Sequence, residues 1–204
     1  IEWGKPHKTY IIPNAITLIS TTCSSCENKK VIAVGRLTHQ KGFDILIKLW
    51  KTVNLKHPNW VLDIYGSGEL ENILNEQICK EGLQNNITIR PPTTKIYQEM
   101  QNSSVFVLPS RYEGFGLVLI EAMTNGLPCI SFDCPYGPSD IINDGEDGFL
   151  IPNGNIQAMA DKICYLIENE EERKEMGREA HQSAMRYAPE NIMPMWEKLF
   201  NDIV

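Results

Sequence analysis

The densest concentration of reactive residue types runs from Ser110 to Met123. Here Ser110-Arg111-Tyr112-Glu113-Gly114-Phe115-Gly116 leads into Leu117-Val118-Leu119-Ile120-Glu121-Ala122-Met123. The glycines free the amides of the loop and of the first helical turn, and exposed amides can hold phosphate or hydroxyl oxygens. Glu113 sits in the loop. Glu121 lies a little over one turn into a helix whose other residues are apolar, where a carboxylate needs a partner. A second group is Gly35-Arg36-Leu37-Thr38 followed by Lys41-Gly42 at a helix start. A glycine turn, a helix N-terminus and two close cations can converge on one diphosphate. A third, Gly66-Ser67-Gly68-Glu69, is a small-residue turn that permits close approach of a ligand. Each group has a plainer reading, as solvated loop cations, surface carboxylates or a turn.

These residues need elements to hold them. Short β-branched runs alternate with amphipathic segments, the pattern of a parallel sheet with helices on both faces, a Rossmann-like α/β fold. Val31–Val34, Val61–Tyr65, Ile87–Ile89, Val105–Leu108, Cys129–Phe132 and Phe149–Ile151 read as buried strands, and Tyr10–Ile12 as a crossing or edge strand. Helical spacing covers 43–56 and 70–81, while 117–125 is apolar all round, as for a helix wedged deep against the sheet. The last third is helical: 156–168, 171–186 and a segment from Pro189 carrying Trp196, Leu199 and Phe200. Ligands of an open parallel sheet bind beyond the C-terminal strand ends, where all three groups fall.

Bulk properties narrow the partners. The 204 residues carry a formal charge of −7, which gives no footprint for nucleic acid or an anionic bilayer. No apolar run approaches the length of about 20 residues needed for a membrane span. Six scattered cysteines suit a reduced, cytoplasmic protein, and Cys23-Ser24-Ser25-Cys26, without a second pair, reads as a loop with two idle thiols. His7, His39, His57 and His181 show no metal spacing, although His39 could line the Arg36–Lys41 loop. The chain begins at Ile1 and reads as a fragment of a longer protein.

With these motifs in register, the chain resembles the C-terminal domain of retaining glycosyltransferases of the GT-B fold, family 4. The resemblance runs through Glu113 and Glu121, the Arg36/Lys41 pair, Ile11-Ile12-Pro13-Asn14, Glu121-Ala122-Met123, Gly126-Leu127-Pro128, Asn143-Asp144-Gly145 and Gly148-Phe149-Leu150. Ser131-Phe132-Asp133-Cys134-Pro135-Tyr136-Gly137-Pro138 is similar to a bacterial subgroup that builds cell-surface polysaccharides.

The resemblance implies a nucleotide-sugar donor, with UDP the preferred nucleotide and no metal or other cofactor. Arg36 and Lys41 would bind the diphosphate, and Glu121 would take the ribose hydroxyls. Glu113 would face the donor sugar or its phosphate. Gly114, Phe115, Gly116 and Leu117 would present amides to sugar and phosphates, beside Gly35, Gly66 and Ser110. Many members have a glycine after the strand ending near Ile89. Here Arg90-Pro91-Pro92 follows, so base recognition would use the Arg90 main chain or other groups. Asp133 and Tyr136 would face the cleft. A saccharide or lipid-linked acceptor would bind an absent N-terminal domain, toward which residues 189–204 reach back. The full-length enzyme would work at the inner face of the cytoplasmic membrane.

Rival readings share the architecture. An NAD-dependent oxidoreductase would show a three-glycine fingerprint after its first core strand, which Gly35-Arg36-Leu37 does not supply. A glycoside hydrolase using Glu113 and Glu121 would have no need of Arg36 and Lys41. A non-catalytic nucleotide-binding module stays open.

Overall fold

The computed structural model describes residues 10–16 and 22–203. The strands are β1 (Lys30–Val34), β2 (Val61–Tyr65), β3 (Ile87–Arg90), β4 (Val105–Leu108), β5 (Cys129–Asp133) and β6 (Gly148–Pro152). They form one parallel sheet in the order β3-β2-β1-β4-β5-β6. Every strand expected from Val31 onward is present, within one residue at either end.

Alternation along each strand fills two cores. On one face Val31, Ala33, Leu62, Ile64, Val105 and Val107 pack against α1 (Phe43–Lys56) and α6 (Ile156–Glu168), through Leu46, Trp50 and Ile163. α2 (Glu71–Glu81) adds Leu74 and Ile78. On the other face Ile32, Phe106, Leu108 and Cys129 meet α3 (Ile96–Gln101), α4 (Leu117–Thr124) and α7 (Glu170–Ala184). Leu119, Ile120, Ala122 and Met123 of α4 are fully buried, as its apolar sequence requires. α5 (Pro138–Ile141) is a single turn after β5, and α3 and α5 are too short to show a helical period in the sequence.

Two expectations change. Tyr10–Ile12 is not a strand. It lies outside the six-stranded sheet, along α8 (Pro189–Ile203), where the Tyr10 hydroxyl donates to Asp202 and Ile11 is 87% exposed. The segment's main-chain tie is to the helical C-terminal region, from Ile16 N–H to the Tyr187 carbonyl at 2.9 Å. The helix read over 171–186 stops at Ala184, and a 3-10 turn, Met185–Tyr187, bends the chain into α8.

α8 buries Ile192 and leaves Met193, Met195, Trp196 and Phe200 substantially exposed. Among the described residues no helix is long and apolar enough to cross a membrane. Cys23 is exposed and Cys26 buried, both unpaired, and burial pushes both thiols up.

Candidate functional site

Successive crossovers carry β1, β2 and β3 outward in one direction and β4, β5 and β6 in the other, so the loops after β1 and β4 part at the centre of the sheet. That switch point is where an open parallel sheet leaves a crevice. Both loops carry the residues singled out by type and spacing.

The loop after β1 is anchored by Leu37, which is fully buried. Its N–H donates to the Ser67 carbonyl at 2.9 Å and its carbonyl accepts from Leu70 N–H at 3.0 Å. Gly66 fits against it: a Cβ there would stand 1.9 Å from the Gly35 carbonyl oxygen. The close approach that Gly66 permits is therefore made by the neighbouring loop, although Gly66 also lines a cavity described below.

The chain then makes a 3-10 turn, His39–Lys41, and enters α1 through Gly42 at φ +68°. A Cβ on Gly42 would lie 2.1 Å from the Pro109 carbonyl oxygen, so this glycine lets the loop after β4 close on the first. Arg111 completes the closure. Its guanidinium holds Asp44 through two bonds of 2.9 and 2.7 Å and donates to the His39 carbonyl at 2.6 Å. The planar fork suits this bidentate pairing and pulls the Asp44 carboxyl below its ordinary range. The His39 ring itself is exposed.

Within this frame Lys41 Nζ lies 2.6 Å from Glu113 Oε1, with the side chains only 14% and 6% exposed. The Ser110 hydroxyl donates to the same oxygen at 2.6 Å. Both bonds fall on Oε1, and Oε2 accepts none among the described residues. Arg36 is exposed and forms no ion pair among the described residues. The crevice thus holds one cation shared with a buried carboxylate and one uncompensated.

Beyond Glu113 the main-chain amides go largely without acceptors among the described residues. Glu113 N–H donates to the Pro135 carbonyl at 3.3 Å, and Leu119 N–H to the Gly116 carbonyl at 2.8 Å. Between them the N–H groups of Gly114, Phe115, Gly116, Leu117 and Val118 have no acceptor among the described residues. Gly116, at φ +92°, turns the chain into α4, and Gly114 has open space where a Cβ would be. The Phe115 ring turns away, edge-on to Tyr187 at 6.0 Å, so only its backbone serves the crevice.

Glu121 does not have the protein partner that its surroundings demand. It is half-buried, its carboxylate makes no hydrogen bond or ion pair among the described residues, and burial raises its pKa. A cavity of 240 Å³ opens between the ends of β1, β2 and β3, walled by Val34, Tyr65, Gly66, Pro92, Thr93 and Ile96. Gly35 and Arg36 also line it.

Arg90 is turned elsewhere. Its Nε lies 3.1 Å from Asp63, and its carbonyl accepts from Gly66 N–H at 3.0 Å. Pro92, Thr93 and Ile96 provide the wall on that side. Their position just past a strand end is the one signal in the sequence that marks them. Asp133, the last residue of β5, and Tyr136, in the loop that follows, are both exposed, Tyr136 at φ +67°.

Two cations, together with a row of amides and a carboxylate that find no partner among the described residues, thus stand at one end of the sheet. A family model, glycosyl transferases group 1, matches residues 24–183. The chain belongs to this glycosyltransferase family.

The matched region spans the whole sheet and all of the loops above. An uncharacterized glycosyltransferase of Haemophilus influenzae is 34% identical over 96% of this chain and 56% of its own length. The amylovoran biosynthesis glycosyltransferase AmsD of Erwinia amylovora is 38% identical over 86% of this chain and 49% of its own. Among solved structures, Staphylococcus aureus TarM, a mutant in complex with fondaparinux, alpha-GlcNAc-glycerol and UDP, superposes with a TM-score of 0.88 at 33% identity. It covers 94% of this chain and 39% of the TarM chain. The pneumococcal O-GlcNAc transferase GtfA in complex with UDP and GlcNAc gives 0.81, also at 33% identity, covering 90% of this chain and 38% of its own. The chain therefore spans about half, or less, of the glycosyltransferases it matches.

Proposed function

We propose that this chain is the donor-binding, C-terminal half of a retaining glycosyltransferase of the GT-B fold, family 4. In this reading it binds a UDP-sugar and serves cell-surface polysaccharide synthesis. The observation that carries it is the row of amides from Gly114 to Val118, set between Arg36 and Lys41 on one side and Glu121 on the other, none of these amides nor the Glu121 carboxylate having a partner among the described residues. A diphosphate satisfies amides and cations together, and a ribose diol satisfies the carboxylate. The binding of UDP by TarM and GtfA supports uridine as the nucleoside.

Breaking the sugar–phosphate bond places negative charge on the departing diphosphate and positive charge on the sugar. Fixed cations and oriented amides stabilise that charge without reorganising during the reaction. Arg36 meets the diphosphate directly, and Lys41 does so while held by Glu113. The free Glu113 Oε2 accepts from a sugar hydroxyl. The same groups do the work that a metal does in other folds, so no metal is required. Retention follows from attack on the face the diphosphate leaves, with the departing phosphate taking the acceptor proton.

The acceptor, a saccharide or lipid-linked saccharide, binds a second half that the exposed Met193, Trp196 and Phe200 of α8 cover. In the cell the whole enzyme works on the cytoplasmic side of the membrane. The oxidoreductase alternative finds no three-glycine turn after β1.

Calorimetric titration with UDP, GDP, ADP and NAD, without divalent metal, tests the proposal. UDP binding that weakens in both Arg36→Ala and Glu121→Ala is expected. Binding of NAD alone, or UDP binding indifferent to both substitutions, would overturn it.

A further inference from the structure

Helices α3 and α4 descend side by side on one face of the sheet, each returning from the C-terminal end of its strand. Their lower ends touch: the Gln101 side-chain amide donates to Asn125 Oδ1 at 3.2 Å, and Asn125 Nδ2 approaches Met100 Sδ at 3.8 Å. Four residues before Gln101 and Asn125 stand Tyr97 and Glu121. That is one turn, about 6 Å, back toward the crevice. Ile96, beside Tyr97, already walls the 240 Å³ cavity.

Both side chains are half-buried, and neither the Tyr97 hydroxyl nor the Glu121 carboxylate has a hydrogen-bond partner among the described residues. Burial pushes the Tyr97 phenol up, and the Glu121 charge pushes it further. A phenol and a carboxylate in direct contact would bond. Two half-buried polar groups, each one helical turn along from a contact between their helices and neither bonded to the other, are open to a hydrogen-bonding group that both share.

We propose that Tyr97 is a second ribose-binding residue: its hydroxyl donates to a ribose hydroxyl oxygen whose own proton is donated to Glu121. A hydroxyl can accept from the phenol and donate to the carboxylate at once. The pair therefore selects ribonucleotides over their deoxy forms, Glu121 from α4 and Tyr97 from α3. This inference rests on the donor-site reading above.

The test is titration of the chain and its Tyr97→Phe variant with UDP and with 2′,3′-dideoxyuridine diphosphate. One net hydrogen bond corresponds to about a three- to tenfold loss of affinity. The variant should lose that much for UDP and nothing for the dideoxy ligand. No loss for UDP, or equal losses for both ligands, overturns the role of Tyr97. If the unsubstituted chain binds no UDP, the donor-site reading fails with it. Binding that responds to Glu121→Ala but not to Tyr97→Phe sinks the Tyr97 role alone.

Discussion

Replacing Lys41 by Met removes the ammonium from a 2.6 Å contact with Glu113 and leaves a carboxylate whose side chain is 6% exposed. Breaking one partner out of a buried ion pair costs about 3–5 kcal/mol. Ser110 still donates to Oε1 at 2.6 Å, and the lysine side chain is 14% exposed, so water reaches the gap. Both facts place the expected loss at the lower end, about 3 kcal/mol. For a domain of this size each kcal/mol shifts the melting midpoint by roughly 2–4 °C, giving a drop of roughly 6–12 °C.

A second substitution sharpens the argument. In the Lys41→Met, Glu113→Met double variant no charge is left buried, so most of the loss should be recovered, because hydrophobic replacements of buried pairs are often neutral. Differential scanning calorimetry of the two single variants and the double variant closes the cycle. A midpoint for Lys41→Met within about 1 °C of the parent would refute the reasoning. Lys41 would then be a solvated cation rather than one held in place by Glu113. UDP binding should fall in all three variants, including the thermally recovered one.

Two further perturbations are sharply defined. Gly66→Ala puts a methyl 1.9 Å from the Gly35 carbonyl oxygen, which is backbone and cannot swing away; a loss of about 2 kcal/mol or more in denaturant unfolding is expected, and a neutral result would mean that the two loops separate freely. Glu121 has its folded pKa raised by burial, so its contribution is fully present below the ordinary carboxylate value and is lost as pH rises through the raised one. Ligand-free Glu121→Gln should thus melt above the parent near pH 7.5, with the difference vanishing toward pH 4. A variant less stable at neutral pH would show that the carboxylate has a protein partner after all.

Much of this was legible in the order of residues. The alternation of β-branched runs and amphipathic stretches determined the sheet and its flanking helices, because period-two and period-3.6 burial leave different marks on a sequence. Rules for where open sheets bind ligands then put Arg36, Lys41, Glu113 and Glu121 at one end. Tertiary structure decided what sequence spacing does not encode: which loop leans on which. It paired Lys41 with Glu113 across 72 positions and clipped Arg111 to Asp44. It filled the space at Gly66 with the Gly35 carbonyl, and turned Arg90 to Asp63 while Pro92, Thr93 and Ile96 took the cavity wall. Tyr10–Ile12 has strand-forming residues yet lies on α8, because strand propensity becomes a strand only where a ladder partner is available. Tyr97 came to stand near Glu121 only through the packing of two helices, one of them too short to announce itself. Local chemistry is written along the chain, whereas the partner of a charged or polar group depends on contacts between segments distant in sequence.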